Sequence, residues 1–154
     1  MNSLEEKIGY QFKNAQLLET ALTHSSYANE RHSPACRSYE RLEFLGDSIL
    51  GIVTADFLYH REPELPEGRM TRLRAELVCE TSLHKVALEL GISEYMRLGR
   101  GEEHTGGRQR PSILADMVEA IIAVPPPSLT SMDFFIPPRS FVSTAAASLL
   151  AVFL

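Results

Sequence analysis

Cysteine is nearly absent. Cys36 and Cys79 are the only two among 154 residues, too few for a disulfide scaffold and without the close spacing of a metal site. No run approaches the ~18 apolar residues that a membrane helix needs. The amino-terminal MNSLEEKIGYQF has neither the basic start nor the apolar core of a secretory signal. These absences lead to the expectation of a reducing, cytoplasmic setting with no membrane contact. Net positive charge is lacking too: 15 basic and 20 acidic residues give a formal charge of −5, which argues against a generally sticky basic binder. An enzyme of nucleic acids stays open, because carboxylates that hold cations enter that sum as negative charges. Nothing alternates like a β-strand, and no internal repeat is visible.

What is there reads as one helical domain followed by something different. With 44% hydrophobic and 23% charged residues, the chain has the composition of a folded protein with one modest core. The composition changes near Val124. Residues 1–123 hold 14 of the basic and 19 of the acidic side chains, whereas the 31 residues 124–154 hold only Asp133 and Arg139 and five of the nine prolines. Pro125–Pro127 stop any helix that reaches them, since they lack amide donors and clash with the preceding turn. We therefore divide the chain into a domain at 1–123 and a Pro-rich, then apolar tail at 124–154.

Within the first part the apolar spacing predicts helices over Leu4–Ile8, Lys13–Leu22, Tyr39–His60, about Met70–Leu90 and Ile113–Ala123. The polar stretch SSYANERHSPACRS is expected as a surface loop, and Gly91 as the C-cap of the helix before it. Leu42, Leu45, Ile49, Ile52, Val53, Phe57 and Leu58 form the apolar face of the long central helix. Cys79 falls on an apolar helix as a core position. Ser112 is the expected N-cap of the last helix.

Four carboxylates sit where helical periodicity has no use for them. Glu43 and Asp47 are four apart, about 6 Å along one helix face. Asp116 and Glu119 are three apart within ILADMVEAIIA, again on one face. Two readings stand at this point. If the helices pack side by side, four acids converge on one oxygen-rich site that suits Mg²⁺ or Mn²⁺ and not zinc. Otherwise these are solvated faces whose acids pair with Arg41, Arg72 or Arg74. Gly46, between Leu45 and Asp47, weakens the helix and permits a close helix approach.

Other chemistries lack their residues. Ser25, Ser26 and Ser48 have no nearby base, so a hydrolase triad is not supported. GRGEEHTGG lacks the Lys-Ser/Thr ending and the strand context of a phosphate-binding loop, and no nucleotide cofactor is expected. His24 fits a role in the fold, and the remaining histidines are scattered. Arg97, Arg100, Arg108 and Arg110 around the Gly-rich loop, with Arg69, Arg72 and Arg74 on another helix, are candidates for nucleic-acid phosphates. Singly, each is equally well read as a surface arginine beside an acid such as Glu102 or Glu103.

Glu40-Arg-Leu-Glu-Phe-Leu-Gly-Asp-Ser48 resembles the signature of the ribonuclease III family. The likeness extends over Ala21-Leu-Thr-His-Ser-Ser-Tyr-Ala-Asn29, Gly68-Arg-Met-Thr-Arg-Leu-Arg-Ala75, Leu98-Gly-Arg-Gly-Glu102 and Ser112-Ile-Leu-Ala-Asp-Met-Val-Glu-Ala120, in the family's order. The resemblance implies an all-α endonuclease domain that works as a symmetric homodimer on double-stranded RNA. It implies metal ligation by Glu43, Asp47, Asp116 and Glu119. Catalytic duty falls on Asp47 and Glu119, supported by Glu40 and by Glu67 in the catalytic valley. It implies insertion of Phe44 into the partner subunit, and cuts that leave 5′-phosphates, 3′-hydroxyls and two-nucleotide 3′ overhangs.

Past Ala123 the resemblance ends. The family's closing helices and its double-stranded-RNA-binding domain have no counterpart in residues 124–154. The expectation is a truncated or frameshifted product that keeps the acids and has weakened or lost activity. The alternative is a non-catalytic RNA-binding or dimerisation module.

Overall fold

Helix α8 (Pro111–Ile122) is strongly apolar, and seven of its twelve residues are buried in the core of the domain. The computed structural model describes residues 4–61 and 63–124, and the architecture is that of these residues. They form eight α-helices: α1 (Leu4–Ile8), α2 (Ala15–Ala21), α3 (Ser25–Arg31), α4 (Glu40–Arg61), α5 (Glu67–Leu77), α6 (Glu80–Leu90), α7 (Arg100–His104) and α8. Two 3-10 turns, Ile92–Glu94 and Gly107–Gln109, complete them. The all-α expectation holds for the described residues.

α8 lies between α4 and α6. Its Leu114, Met117 and Ala120 are fully buried, against Leu50 of α4 and Leu83, Val86 and Ala87 of α6 in one core. Val124, placed with the tail by composition, is also fully buried and donates its N–H to the Ile121 carbonyl at 3.0 Å. The expectations for 125–154 lie outside the described residues.

Several local expectations are corrected. The long helix over Met70–Leu90 is two helices, broken at Val78–Cys79. Ser82 Oγ donates to the Glu76 carbonyl at 2.8 Å and satisfies an acceptor that a continuous helix would have used. Cys79 is at the break and exposed, not in the core. The stretch 25–38, expected as loop, contains α3. His24 Nδ1 accepts from the Ser26 N–H at 3.2 Å as its N-cap, and Arg31 donates to the Tyr27 hydroxyl one turn back at 2.6 Å. α8 starts one residue before the expected cap, with Arg110 as N-cap and Pro111 in the first turn, where its missing N–H costs nothing. Ile52 on α4 is 60% exposed and does not face the core. Gly91 does cap α6, in the left-handed region at φ 64°.

A small bridge joins the ends of this arrangement. Thr23 and Arg97 pair in parallel, with His24 N–H donating to the Arg97 carbonyl at 2.9 Å and Arg97 N–H to the Leu22 carbonyl at 2.8 Å. The Tyr39 N–H donates to the Thr23 carbonyl at 2.9 Å, which anchors the start of α4 to that bridge.

Candidate metal centre

The site exists because α4 and α8 touch at Gly46. A β-carbon at Gly46 would lie 2.5 Å from the carbonyl carbon of Glu119 and overlap its oxygen, so the helices meet backbone to backbone. That approach brings the acids of the two helices together. Single carboxylate oxygens of Glu43, Asp116 and Glu119 all lie within 4.8 Å of one another, and all three side chains are half-buried.

Crowding and burial raise the proton affinity of all three. Glu119 is pushed up to about 7, first by burial and then by Asp47, Asp116 and Glu43. Glu43 is raised by burial and by Asp116, Glu40 and Asp47. Burial raises Asp116 as well, opposed by the hydrogen bond it accepts from Tyr39. Three carboxylates that repel one another in a partly desolvated place are stabilised by a cation. The donor set is oxygen throughout, with no sulfur or imidazole, and it fits a hard divalent ion.

The other expected residues fall into three groups. Asp47 and Glu40 are exposed on α4 and close enough to act on the cluster's protonation, Asp47 on both Glu43 and Glu119, Glu40 on Glu43. Glu67 is not in the cluster: it lines a cleft of about 710 Å³ between α4 and α5, where Thr71 Oγ1 donates to it at 2.7 Å. Phe44 is 78% exposed on α4. Arg97 is paired with Glu19, and Arg108 with Glu103 and the Ser93 and Met96 carbonyls. Arg69, Arg72 and Arg100 are exposed and make no ion pair among the described residues.

Tyr39 was missed as a site residue. Its phenol donates to Asp116 Oδ2 at 3.1 Å. In the sequence it reads as the first residue of an apolar-faced helix, and its place beside the Glu40 signature was the available signal.

This is an all-helical domain in which carboxylates from two touching helices converge on one point, a donor set that could hold a divalent cation between facing helices. A family model described as Ribonuclease-III-like matches residues 14–124. Ribonuclease 3 of Listeria monocytogenes serovar 1/2a is 49% identical over 119 residues, covering 77% of this chain and 52% of that protein. Ribonuclease 3 of Moorella thermoacetica is 58% identical over 105 residues, covering 68% of this chain and 44% of that one. A crystal structure of the nuclease domain of ribonuclease III from Campylobacter jejuni is 34% identical with a TM-score of 0.80, covering 97% of this chain and 93% of that one. A second structure of that domain, described for flexibility in a region involved in its dimer formation, has a TM-score of 0.81. The chain belongs to the ribonuclease III family, and its fold is that of the family's nuclease domain. It spans about half the length of the curated relatives it matches.

Proposed function

We propose that this chain is a metal-dependent endoribonuclease domain that hydrolyses phosphodiester bonds of double-stranded RNA. On this reading it leaves 5′-phosphate and 3′-hydroxyl ends with two-nucleotide 3′ overhangs and serves rRNA and mRNA processing in the cytoplasm. The observation that carries it is the convergence of Glu43, Asp116 and Glu119 in a family whose relatives are named ribonuclease 3. Glu43, Asp116 and Glu119 hold one Mg²⁺, for which Mn²⁺ can substitute, and Asp47 with Glu119 serves the leaving-group side. When bound, such an ion lowers the pKa of a water and offsets charge developing on the phosphate.

The chain's own residues then orient the substrate. Glu40 reinforces the negative field at Glu43 that draws the cation in. Arg69, Arg72 and Arg100 meet RNA phosphates, having no competing carboxylate in the described fold. Arg97 and Arg108 add charge nearby while held by Glu19 and Glu103.

We assign the exposed face of α4, with Phe44 at 78%, Tyr59 at 67% and Ile52 at 60% exposure, to a homodimer contact. The cleft that Ile52 and Tyr59 line also holds Glu67, and on this reading Glu67 serves the catalytic valley.

A labelled RNA duplex incubated with the 154-residue chain in Mg²⁺ or in chelator tests the reading. Mg²⁺-dependent cuts staggered by two nucleotides are expected, and Asp116→Asn or Glu119→Gln should abolish them with the helices intact. A folded chain that binds duplex RNA without cutting it would establish the non-catalytic alternative.

A further inference from the structure

Tyr39 is bonded to both helices that carry the acid cluster. Its backbone carbonyl accepts the Glu43 N–H at 2.9 Å in the first turn of α4, and its phenol donates to Asp116 Oδ2 of α8 at 3.1 Å. The residue is itself pinned. It is 4% exposed, its N–H is held by the Thr23 carbonyl, and its ring lies tilted against His24 with centroids 5.7 Å apart. The terminal torsion of an aspartate is broad and roughly two-fold, so a contact that holds one oxygen fixes the carboxylate plane. We propose that Tyr39 is a positioning residue for the metal centre, its hydroxyl holding Asp116 Oδ2 so that the other carboxylate oxygen is presented to the cation beside Glu43 and Glu119. The proposal rests on the reading of these acids as a metal centre.

The chemistry suits this duty. A phenol ordinarily titrates at about pH 10, so at neutral pH it is an uncharged donor. A neutral donor orients Asp116 without cancelling the negative charge that attracts the ion, which an arginine or lysine in its place would do. Groups that orient ligands from behind are worth about 10- to 100-fold in metal affinity in metalloproteins generally.

The test compares Tyr39→Phe, Tyr39→Met, Asp116→Asn and the parent chain by Mn²⁺ titration, counting free ion by electron paramagnetic resonance, with metal-free melting followed by circular dichroism. Tyr39→Phe keeps the buried ring and deletes only the hydroxyl. It should leave the metal-free melt near that of the parent and weaken Mn²⁺ binding about tenfold or more. In cleavage it should raise the Mg²⁺ concentration for half-maximal rate by a similar factor, with a smaller effect at saturating Mg²⁺. Tyr39→Met should match it. Parent-like Mn²⁺ affinity in Tyr39→Phe, with Asp116→Asn impaired, overturns the positioning role and leaves the metal centre standing. Loss in Tyr39→Met alone marks a packing role and overturns it as well. Parent-like affinity in Asp116→Asn removes the metal-centre reading and this proposal together.

Discussion

Gly46 of α4 packs directly on the backbone carbonyl of Glu119 in α8, and the acid cluster depends on that contact. A helix interior normally loses about 1 kcal/mol by having glycine where alanine would do. Here the missing β-carbon lets two carboxylate-bearing helices approach closely enough for Glu43 to share a site with Asp116 and Glu119. Gly46→Ala places an atom 2.5 Å from the Glu119 carbonyl carbon, so one helix has to shift. We expect a loss of about 3 kcal/mol, or about 10 °C in melting temperature, together with loss of metal-dependent cleavage. The same change at Gly68, where a β-carbon would meet nothing within 4 Å, should leave stability equal or about 0.5 kcal/mol higher. Thermal unfolding of the two variants checks both signs, and a parent-like melt for Gly46→Ala would contradict the close approach.

The crowded acids make the metal-free domain a base in the neutral range. The Glu119 carboxyl lies near 7 in the fold against an ordinary 4.5, so the folded state binds its proton more tightly than the unfolded chain does. Stability from this group is complete below pH 4.5 and is lost as pH rises through about 7. Glu43 and Asp116, also raised, act with the same sign. Glu103, held low by Arg108, acts at more acid pH and with the opposite sign. Allowing for solvent screening of a half-buried group, Glu119 should account for a fall on the order of 1–2 kcal/mol across that window. Urea unfolding in chelator from pH 5 to pH 8 should show it. Glu119→Gln should flatten the slope and be more stable than the parent at pH 8. Stability that rises across the window would contradict the assignment.

The parts of this structure that were legible in sequence are those fixed by local pattern. The apolar residues of α8 and the alternation of Leu50 and Leu58 with polar residues on α4 repeat at helical spacing, and Gly91 has the conformational freedom that a left-handed cap requires. The convergence of Glu43 with Asp116 was readable as a possibility, because each helix shows its two acids on one face. Its realisation depended on Gly46 meeting a carbonyl 73 residues away, which no periodicity reveals. The break between α5 and α6 was hidden for the opposite reason. Leu77, Val78 and Leu83 continue an apolar rhythm across it, and the interruption comes from polar hydrogen bonds of Ser82. α3 has no buried residue, so hydrophobic spacing had nothing to show.

Ser82 is the side chain that ends one helix and begins the next. Its hydroxyl donates to the Glu76 carbonyl at 2.8 Å, and it is 8% exposed. Ser82→Ala leaves that acceptor with only the weaker thiol contact from Cys79 Sγ at 3.2 Å, at a cost of about 1 kcal/mol. The loss should be local. Amide exchange around Val78–Cys79 is expected to accelerate while the α8 amides keep their protection. Unchanged exchange at the break would mean that the α5–α6 angle is set by core packing alone.

Phe44 is the most exposed large apolar side chain among the described residues, at 78%, and it neighbours Glu43 of the acid cluster. Within a single chain its burial contributes nothing, so Phe44→Ala should leave the unfolding free energy of the monomer within about 0.5 kcal/mol. At a homodimer contact the same truncation removes an aromatic anchor, and anchors of this kind are typically worth about 2–4 kcal/mol. The dimer dissociation constant should therefore rise by about 30- to 1,000-fold, read by sedimentation equilibrium. Leu88→Ala on α6 is the control. Leu88 is also exposed, at 53%, but it lies on a helix away from this face and should leave the equilibrium unchanged. Because residues of the proposed contact line the cleft that holds Glu67, Phe44→Ala should depress duplex cleavage at low protein concentration and recover as concentration rises. Recovery with concentration separates a weakened dimer from a damaged metal centre. An unchanged dissociation constant would remove this face of α4 from the dimer contact.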